Sequence, residues 1–472
     1  MNGTQQQEEI WNAIENDTGH VFVYAGAGCG KTTTIVEGAN RADGEKMAFF
    51  AFNKSIADEL RERLPENVQA STFHSFGNST IRRTFKGAKM DKWKVPNILK
   101  EMFGDDFPRF EGSKVVGLVK GSMIDASDSI AVRNIIDEYN ITFENASEEK
   151  LLIKRMPQIL EKCMTLEKID FDDMIWLPLV MNLPMEHFDM VFVDEAQDFN
   201  EAQRQMIVRA VNGGRCIVVG DPNQAIYGFR GADSSSMDIF KSQLQVKGTP
   251  VSEYPLSKTF RCPPVVVEVA NRYVEELSPF FIDKEGEFRT NQVLDPKPDD
   301  LVLCRLNAPL ISTFYDLIAR GKTAYILGRD MGKGLSSYVK KVTENNRMSI
   351  PQFLERLHRV FKSEYDDYVN AGRDAKALAL EDKVRCVQTI ASRCSTVQGL
   401  HDEIDGIFGR DAPKTGAILS TVHKSKGLEA ETVWIIAPDK MPHPMGNPVE
   451  ERNIQYVAVT RAMSNLYVCG AW

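Results

Sequence analysis

A glycine-rich segment follows the apolar run 21–24 and opens a helix-like stretch, which is the order expected of a phosphate-binding loop. Its residues are Ala25, Gly26, Ala27, Gly28, Cys29, Gly30, Lys31 and Thr32. Glycines let backbone N–H groups turn inward around phosphates, and the helix N-terminus adds the positive end of its dipole. Lys31 can reach the β- and γ-phosphates, and the Thr32 hydroxyl can ligate Mg²⁺. The alternative is a glycine-rich turn with a chance lysine.

An acidic pair, Asp194 and Glu195, ends the apolar run 190–193. Asp194 is expected to hold Mg²⁺, directly or through water, and Glu195 to act as general base on an attacking water. An acidic strand end by itself is more often a solvated turn. With Lys31 upstream, the pair favours hydrolysis of a nucleotide.

Short apolar runs alternate with helix-like stretches such as 56–64 and 264–277. The runs are 21–24, 47–50, 190–193, 216–219, 301–304, 324–327, 417–419, 433–436 and 466–468. This alternation predicts an α/β fold with parallel sheets, in two domains that divide near residue 250. Two charged stretches without strand patterns read as helical insertions. The predicted domains are therefore 1–84 with 166–250, insertion 85–165, 251–346 with 413–472, and insertion 347–412.

The chain has 472 residues with 57 basic and 66 acidic side chains, a net charge of -9, which excludes a generally basic nucleic-acid coat. A local basic track remains compatible with it. Eight cysteines without a C-x-x-C pair exclude the usual zinc and iron–sulfur spacings and favour reduced thiols. The start is polar, and no apolar stretch reaches the ~18 residues of a membrane span. We expect a cytoplasmic protein without a membrane partner.

The acidic pair belongs to a longer series of motifs that resembles a compact UvrD/Rep-type superfamily 1 DNA helicase. The segments are DEAQD (194–198), VGDPNQAIYGFRGA (219–232), LSKTFR (256–261), STVHKSKGLE (420–429) and QYVAVTRA (455–462). They follow the family order, which is far more specific than any one motif. The resemblance implies two RecA-like P-loop domains, each with a mainly helical insertion.

The resemblance also assigns an ATP site. In the family, the first domain gives the phosphate loop and the second gives arginines for the γ-phosphate, here Arg261 and Arg461; a planar guanidinium suits phosphate oxygens. The other implied contacts are Gln7 for adenine, Phe260 for adenine stacking, Glu429 for the ribose, and Gln224 as γ-phosphate sensor. Thr33 stands where the family often has an arginine, and Cys29 replaces a serine or threonine. Alkylation of Cys29 is expected to block nucleotide binding.

A single-stranded DNA track follows from the same resemblance. Single strands are held by base stacking on aromatic rings and by phosphate contacts. The implied residues are Phe52, Asn53, Thr72, His74, Tyr227, Phe229, Arg230, Thr421, His423 and Lys426. The implied partners are single-stranded DNA and ss/ds DNA junctions, with replication or repair proteins as further candidates.

A basic stretch lies in the first insertion. It contains Arg82, Arg83, Lys86, Lys89, Lys92, Lys94 and Lys100, against Asp91 as the one acid, with Phe85 and Trp93 interleaved. It is either a solvated charged face or a surface that contacts duplex or phosphate.

The resemblance implies an ATP-driven helicase that moves 3′→5′ on single-stranded DNA. Two alternatives share its motifs. One is a translocase that removes proteins without unwinding, and the other is a DNA-binding or loading module switched by nucleotide.

Overall fold

The computed structural model describes residues 3–51, 54–139, 141, 143, 145–226, 235–245, 248–343, 348–409 and 414–472. The chain divides into two compact units, Met1–Ser257 and Lys258–Trp472. Each unit has its own parallel sheet.

Eight strands are described in the first unit. They are β1 (His20–Ala25), β2 (Met47–Ala51), β3 (Val68–Thr72), β4 (Lys89–Met90), β5 (Lys168–Ile169), β6 (Met190–Val193), β7 (Arg215–Gly220) and β8 (Val251–Leu256). Six of them form one parallel sheet in the order β3-β2-β6-β7-β1-β8, and β4 pairs with β5 in a separate parallel ladder. Strands β2 and β6 are buried along their whole length, which explains their uninterrupted apolar sequences.

Helices cover this sheet and build the first insertion. They are α1 (Gln5–Asn16), α2 (Lys31–Arg41), α3 (Lys54–Arg63), α4 (Phe73–Thr84), α5 (Lys94–Phe103), α6 (Arg109–Ser122), α7 (Ser129–Glu138), α8 (Ala146–Cys163), α9 (Asp173–Val180), α10 (Glu201–Ala210) and α11 (Ser236–Gln245). Helices α5 to α8 form an apolar core of their own around residues such as Val116, Leu152 and Met156. This core also includes Trp176 of α9, so it continues into the helix that returns the chain to the sheet.

The second unit repeats the parallel design. Its described strands are β9 (Lys258–Thr259), β10 (Ser278–Pro279), β11 (Glu287–Arg289), β12 (Leu301–Cys304), β13 (Ala324–Ile326), β14 (Ala417–Thr421), β15 (Ala430–Ile435) and β16 (Ala462–Val468). The sheet order is β11-β16-β15-β12-β14-β13, and β9 pairs with β10. Its described helices are α12 (Pro264–Ala270), α13 (Ala308–Ala319), α14 (Arg329–Val342), α15 (Ile350–Asn370), α16 (Asp374–Ala391), α17 (Val397–Phe408) and α18 (Pro448–Val459).

The helices α15 to α17 do not have a separate core. Phe353 and Leu357 of α15 and Leu400 of α17 belong to the same buried cluster as Val302 and Leu419 of the sheet. The second insertion is therefore packed as a layer of the second unit, unlike the first insertion.

The α/β class and the two parallel sheets predicted from the sequence are confirmed. The division differs from the predicted one, since it falls between Ser257 and Lys258 rather than after residue 250. The reason is β8, which pairs with β1 in the first sheet. The predicted helix 264–277 is also shorter, because α12 ends at Ala270.

No disulfide joins any of the eight cysteines, all of which lie in the described part of the chain. Among the described residues, we find no helix that combines the length and the apolar character needed to cross a membrane.

Candidate nucleotide and nucleic-acid sites

The phosphate loop joins the carboxyl end of β1 to the first residue of α2, as the glycine pattern predicts. Gly28 and Gly30 have φ angles of 71° and 77°, in the left-handed region that glycine adopts without strain. Gly30 caps α2 with its backbone in this conformation, so the first N–H groups of the helix point toward the loop. The loop thus has the backbone geometry for an anion at a helix N-terminus.

The acidic pair lies against this loop. Lys31 Nζ is 3.7 Å from Glu195 Oε1, and Thr32 Oγ1 donates a 2.7 Å hydrogen bond to Asp194 Oδ2. Glu195 has a φ of 54°, which is uncommon outside glycine and costs backbone energy. This conformation turns the chain sharply after β6. The sequence predicted that these four residues share one site, and the structure brings them together.

A chain of hydrogen bonds continues from Glu195 to the end of β7. Gln197 Nε2 donates to Glu195 Oε2 at 2.6 Å, and Gln197 Oε1 accepts from the backbone N–H of Asp221 at 2.9 Å. Gln224 Nε2 donates to Asp221 Oδ2 at 2.7 Å. Gln197, Asp221 and Gln224 are all buried. We call this path, from Lys31 to Gln224, the glutamine relay.

Gln197 and Asp221 had no role in the sequence-based assignment. Both lie within the motif segments, but a sequence does not reveal which amide spans two strand ends. Their shared feature is position, since Gln197 follows β6 and Asp221 follows β7, neighbouring parallel strands whose carboxyl ends meet. The adjacency of these two strand ends was the signal from which a contact between Gln197 and Asp221 could have been predicted.

Burial raises the pKa of Asp194, the Glu195 carboxylate adds to this, and Lys31 and Thr32 oppose it. Burial likewise raises the pKa of Asp221. Mg²⁺ favours hard oxygen ligands and usually combines one or two carboxylates with phosphates and water. The Thr32 hydroxyl and the Asp194 carboxylate, 2.7 Å apart, fit that donor set.

Gln7 is buried, and both the oxygen and the nitrogen of its side-chain amide form hydrogen bonds. Its Oε1 accepts from the Thr4 backbone N–H and its Nε2 donates to Thr34 Oγ1, both at 2.9 Å. The amide closes a capping box on α1 and ties α1 to α2. Contact with adenine would require exchange of one of these bonds, and the adenine role stays a prediction.

Cys29 and Thr33 differ in their accessibility. Cys29 is 0% exposed, so an alkylating reagent has no path to its thiol in this conformation, contrary to the expected reactivity. Thr33 is half-buried on α2, directly after the magnesium-ligand candidate Thr32.

The candidate nucleotide residues of the second unit also cluster. Arg261 Nε lies 2.7 Å from Glu429 Oε2, and Arg261 Nη1 donates to the Thr460 carbonyl at 3.1 Å. Arg461 is 1% exposed and donates from Nη1 to the Leu428 carbonyl at 3.1 Å. Both guanidinium groups therefore bind groups of their own unit. Their contact with a γ-phosphate stays a prediction.

Phe260 is half-buried beside two exposed rings. Its ring centroid lies 4.4 Å from that of Phe280 and 6.2 Å from that of Phe281. The ring is thus part of a small aromatic group, in which stacking with adenine is physically feasible.

Of the predicted nucleic-acid residues in the first unit, Thr72 ends β3 and His74 lies in the first turn of α4. Thr72 Oγ1 accepts from the Ser75 N–H at 3.2 Å and caps α4. The His74 ring lies 4.8 Å from the ring of Phe171, which is 61% exposed. Burial lowers the pKa of His74, which keeps the imidazole neutral. Sequence reasoning missed Phe171. It follows Ile169 and Asp170 and has no motif around it that marks it as functional.

A close contact between helices explains why His74 meets Phe171. A Cβ on Gly77 of α4 would lie 1.8 Å from the Met174 carbonyl oxygen of α9, so only glycine permits this approach. Because α4 carries His74 and α9 follows Phe171 by two residues, the contact sets the two rings side by side.

The candidate nucleic-acid residues of the second unit follow β14. Thr421 ends the strand, and His423 and Lys426 lie in and just after the 3-10 turn Val422–Ser425. Burial, Arg305 and Lys424 lower the pKa of His423 to about 3, so its ring is neutral. Neutral His423 can exchange hydrogen bonds with bases or sugars but does not attract phosphate by charge.

The predicted residues Phe52, Asn53, Tyr227, Phe229 and Arg230 lie outside the described part of the chain.

The basic stretch of the first insertion has one buried cation, and two of its exposed cations form ion pairs. Lys94 is buried against Asp173 at 2.5 Å, Arg83 pairs with Glu186 at 2.9 Å, and Lys100 pairs with Asp105 at 2.7 Å. Apart from Lys94, all cations of the stretch are exposed at the surface, including Arg83 and Lys100.

Comparison with known proteins gives two family matches. The UvrD/REP helicase N-terminal domain matches residues 6–245, and the UvrD-like helicase C-terminal domain matches residues 416–469.

Two curated relatives and one solved structure are similar to this chain. F-box DNA helicase 1 of Gallus gallus is 24% identical over 518 residues, covering 97% of this chain and 48% of that protein. ATP-dependent DNA helicase PcrA of Bacillus subtilis (strain 168) is 24% identical over 320 residues, covering 59% of this chain and 40% of that protein. The crystal structure of Arterivirus nonstructural protein 10 (helicase) aligns with 98% of this chain and 61% of its own, at a TM-score of 0.33 and 11% identity.

The chain spans about half the length of the curated relatives it matches, with 48%, 57% and 42% of three of them covered. The N-terminal family match alone covers more than half of the 472 residues. The chain therefore belongs to the UvrD/Rep helicase family.

Proposed function

We propose that this chain is an ATP-driven DNA helicase that moves 3′→5′ on single-stranded DNA. The observation that carries the proposal is the glutamine relay, which starts at the 3.7 Å ion pair of Lys31 with Glu195 and continues to Gln224 through hydrogen bonds of 2.6 to 2.9 Å. Buried polar groups that are hydrogen-bonded in series depend on one another's partners, so displacement of Glu195 would alter the bonding of Gln197 and, through it, of Asp221. The path supports coupling of the nucleotide state to the segment after β7.

In this proposal the loop amides and Lys31 hold the β- and γ-phosphates of ATP. Glu195 orients the attacking water and accepts its proton. Thr32 and Asp194 would hold Mg²⁺, which when bound neutralises charge on the phosphate oxygens. Arg261 and Arg461 are proposed to stabilise the γ-phosphoryl group, a role worth about 10³–10⁵ in rate for transition-state arginines.

On the nucleic-acid side, His74 and Phe171 are proposed to contact unstacked bases. The exposed face of Phe171, beside a neutral imidazole, is available for stacking, and stacking of one base is worth on the order of 1–3 kcal/mol. Binding and hydrolysis of ATP would alternate two states of the strand-contacting residues. The difference in free energy comes from γ-phosphate contacts that exist in one state only.

The first test is ATP hydrolysis with and without single-stranded DNA, in the wild type, Lys31→Ala and the control Lys333→Ala. Lys333 is 81% exposed at its side chain, on α14 of the second unit. We expect strong stimulation by DNA, lost in Lys31→Ala and kept in the control. Hydrolysis indifferent to DNA would contradict the proposal.

Strand displacement on duplexes with a 3′ or a 5′ tail tests unwinding and polarity. Displacement from the 3′-tailed substrate alone is expected. Removal of streptavidin from biotinylated single strands, without displacement of duplex, would identify the protein as a translocase. Full biological activity of Glu195→Gln would identify a nucleotide-switched module.

A further inference from the structure

The small ladder of β4 and β5 sets two exposed aromatic residues at one edge. Lys89 pairs with Lys168 and Met90 with Ile169 in parallel register, and the Asp91 N–H donates to the Ile169 carbonyl at 2.9 Å. Parallel strands end on the same side and lie about 4.8 Å apart. Trp93, three residues after β4, and Phe171, two residues after β5, therefore leave the ladder on the same side.

Both rings are unusually exposed for their type. Trp93 is 59% and Phe171 61% accessible to solvent. The other four tryptophans of the chain are buried or half-buried. Tryptophan is highly buried on average, and large exposed rings are enriched where a protein binds a partner.

The backbone beneath these rings is fixed by a buried ion cluster, which consists of Lys94, Lys120, Asp170 and Asp173. Lys94 Nζ lies 2.5 Å from Asp173 Oδ2, and Lys120 Nζ lies 2.8 Å from Asp170 Oδ2 and from Asp173 Oδ1. Lys94 follows Trp93 in the chain, and Asp170 precedes Phe171. The same cluster thus holds the residues next to both rings, and a rigid site loses less entropy on binding.

One cation lies against the ring of Trp93, and others lie near it in sequence or across the ladder. The Lys92 ammonium lies 5.5 Å from the centroid of the Trp93 ring. Lys86, Lys89 and Lys168 are exposed nearby in sequence or across the ladder, and within the described residues none of these four lysines has an ion-pair partner. The nearby carboxylate of Asp91 accepts the Trp93 backbone N–H at 2.9 Å.

We propose that Trp93 and Lys92 form a further subsite for single-stranded nucleic acid, in which a base stacks on the indole and a phosphate contacts the ammonium. The subsite continues the surface of His74 and Phe171, so it rests on the function proposed above. Alternation of rings and cations suits a single strand, whose bases and phosphates alternate in the same way. A base paired within a duplex is stacked on its neighbours and does not offer its face to a side chain.

The test uses the full chain and a short oligodeoxythymidylate. Trp93→Ala is expected to weaken its binding about 5- to 100-fold, as for loss of one stacked base. Trp93→Phe should retain most of the affinity, because it keeps a ring. Phe110→Ala is the matched control, since Phe110 is 80% exposed on the same insertion, at the start of α6, and should leave binding unchanged. The oligonucleotide should also quench tryptophan fluorescence in the wild type and not in Trp93→Phe.

Phe171→Ala separates the two proposals. Weaker binding by both Phe171→Ala and Trp93→Ala supports the subsite. Weaker binding by Phe171→Ala alone overturns the subsite and leaves the track intact, whereas no effect of either variant overturns both. The proposal would also be overturned if Trp93→Ala lost binding to a blunt duplex but kept its binding to the oligodeoxythymidylate. The surface would then serve duplex DNA.

Discussion

Lys31 Nζ lies 3.7 Å from Glu195 Oε1, so the cation of the phosphate loop contacts the carboxylate at the end of β6. Their side chains are 11% and 32% exposed, which strengthens the attraction relative to a surface pair. Phosphates that enter the loop would compete with Glu195 for Lys31. The carboxylate is then released close to the γ-phosphate, where a general base is needed.

Replacement of this carboxylate should separate binding from hydrolysis. In Glu195→Gln, Lys31 loses its anionic partner, so we expect equal or tighter ATP binding, with hydrolysis lowered about 10²- to 10⁴-fold by loss of the general base. Equilibrium binding of a fluorescent ATP analogue and single-turnover hydrolysis measure the two effects. Glu186→Gln is the matched control, because it removes a Lys–Glu pair with Lys46 in the same unit. Weaker ATP binding with normal hydrolysis would show that Glu195 is structural.

Gln197 should matter for both stability and coupling. Gln197→Ala leaves the buried N–H of Asp221 without its acceptor, which costs about 1–3 kcal/mol. It also interrupts the glutamine relay, so stimulation of hydrolysis by DNA should fall more than basal hydrolysis. Urea unfolding and ATPase assays measure these effects. Gln203→Ala, which removes the 2.9 Å acceptor of the Asn200 N–H at the start of α10, should lose stability alone. Equal loss of coupling in both variants would count against the relay.

The raised pKa of Asp194 predicts a pH dependence. Burial raises this pKa to about 6, above the value of 3.8 expected in the unfolded chain. Between these values the folded state binds more protons, so this group makes the protein less stable as pH rises through the window. At neutral pH without Mg²⁺, Asp194→Asn should therefore raise the free energy of unfolding, on the order of 1 kcal/mol.

The same carboxyl must be ionised to hold a metal. Affinity for Mg²⁺ and ATP together should fall as pH is lowered through about 6 in the wild type. Thermal unfolding across pH, and titration of nucleotide with and without Mg²⁺, measure both effects. A wild-type affinity that does not change across this range would show that Asp194 is not a ligand.

The contact at Gly77 should be intolerant of a side chain. Gly77→Ala sets a Cβ 1.8 Å from the Met174 carbonyl, so α4 and α9 must move apart. We expect a loss of about 1–3 kcal/mol or more, and weaker binding of single-stranded DNA because His74 leaves Phe171. Gly406→Ala is the control, since its Cβ meets no atom within 4 Å on α17 and should stabilise the helix. Denaturant unfolding measures the stability of the two variants, and titration with single-stranded DNA measures their affinity. A Gly77→Ala protein as stable as the wild type would refute the contact.

The buried ion cluster should be sensitive to loss of one partner. Lys120→Met removes a counter-charge of Asp170 and Asp173 in a buried site. Removal of one partner of a buried ion pair typically costs about 3–5 kcal/mol. Lys162→Met removes an exposed pair with Glu101 and should cost about 1 kcal/mol or less. Urea unfolding of both variants measures the difference. Equal losses would mean that water reaches the cluster.

Much of the nucleotide site could be predicted from the sequence, because its parts are local. Lys31 and Thr32 follow a glycine-rich turn, and Asp194 and Glu195 follow a buried apolar run. Parallel strands expose their carboxyl ends at one edge, so residues after different strands meet there. Strands β3, β8 and β11 were missed, because their sequences mix polar and apolar residues at the edges of the two sheets.

The amino-acid sequence by itself determined the α/β class, the phosphate loop, the acidic pair and the order of motifs that identifies the family. Those features depend on residue type and on spacing along the chain. Only the tertiary structure decided that Gln197 joins Glu195 to Asp221, that Gly77 brings His74 to Phe171, and that Lys94 is buried rather than displayed. These relationships join residues from different elements, and their energies depend on burial and distance, which linear spacing does not specify.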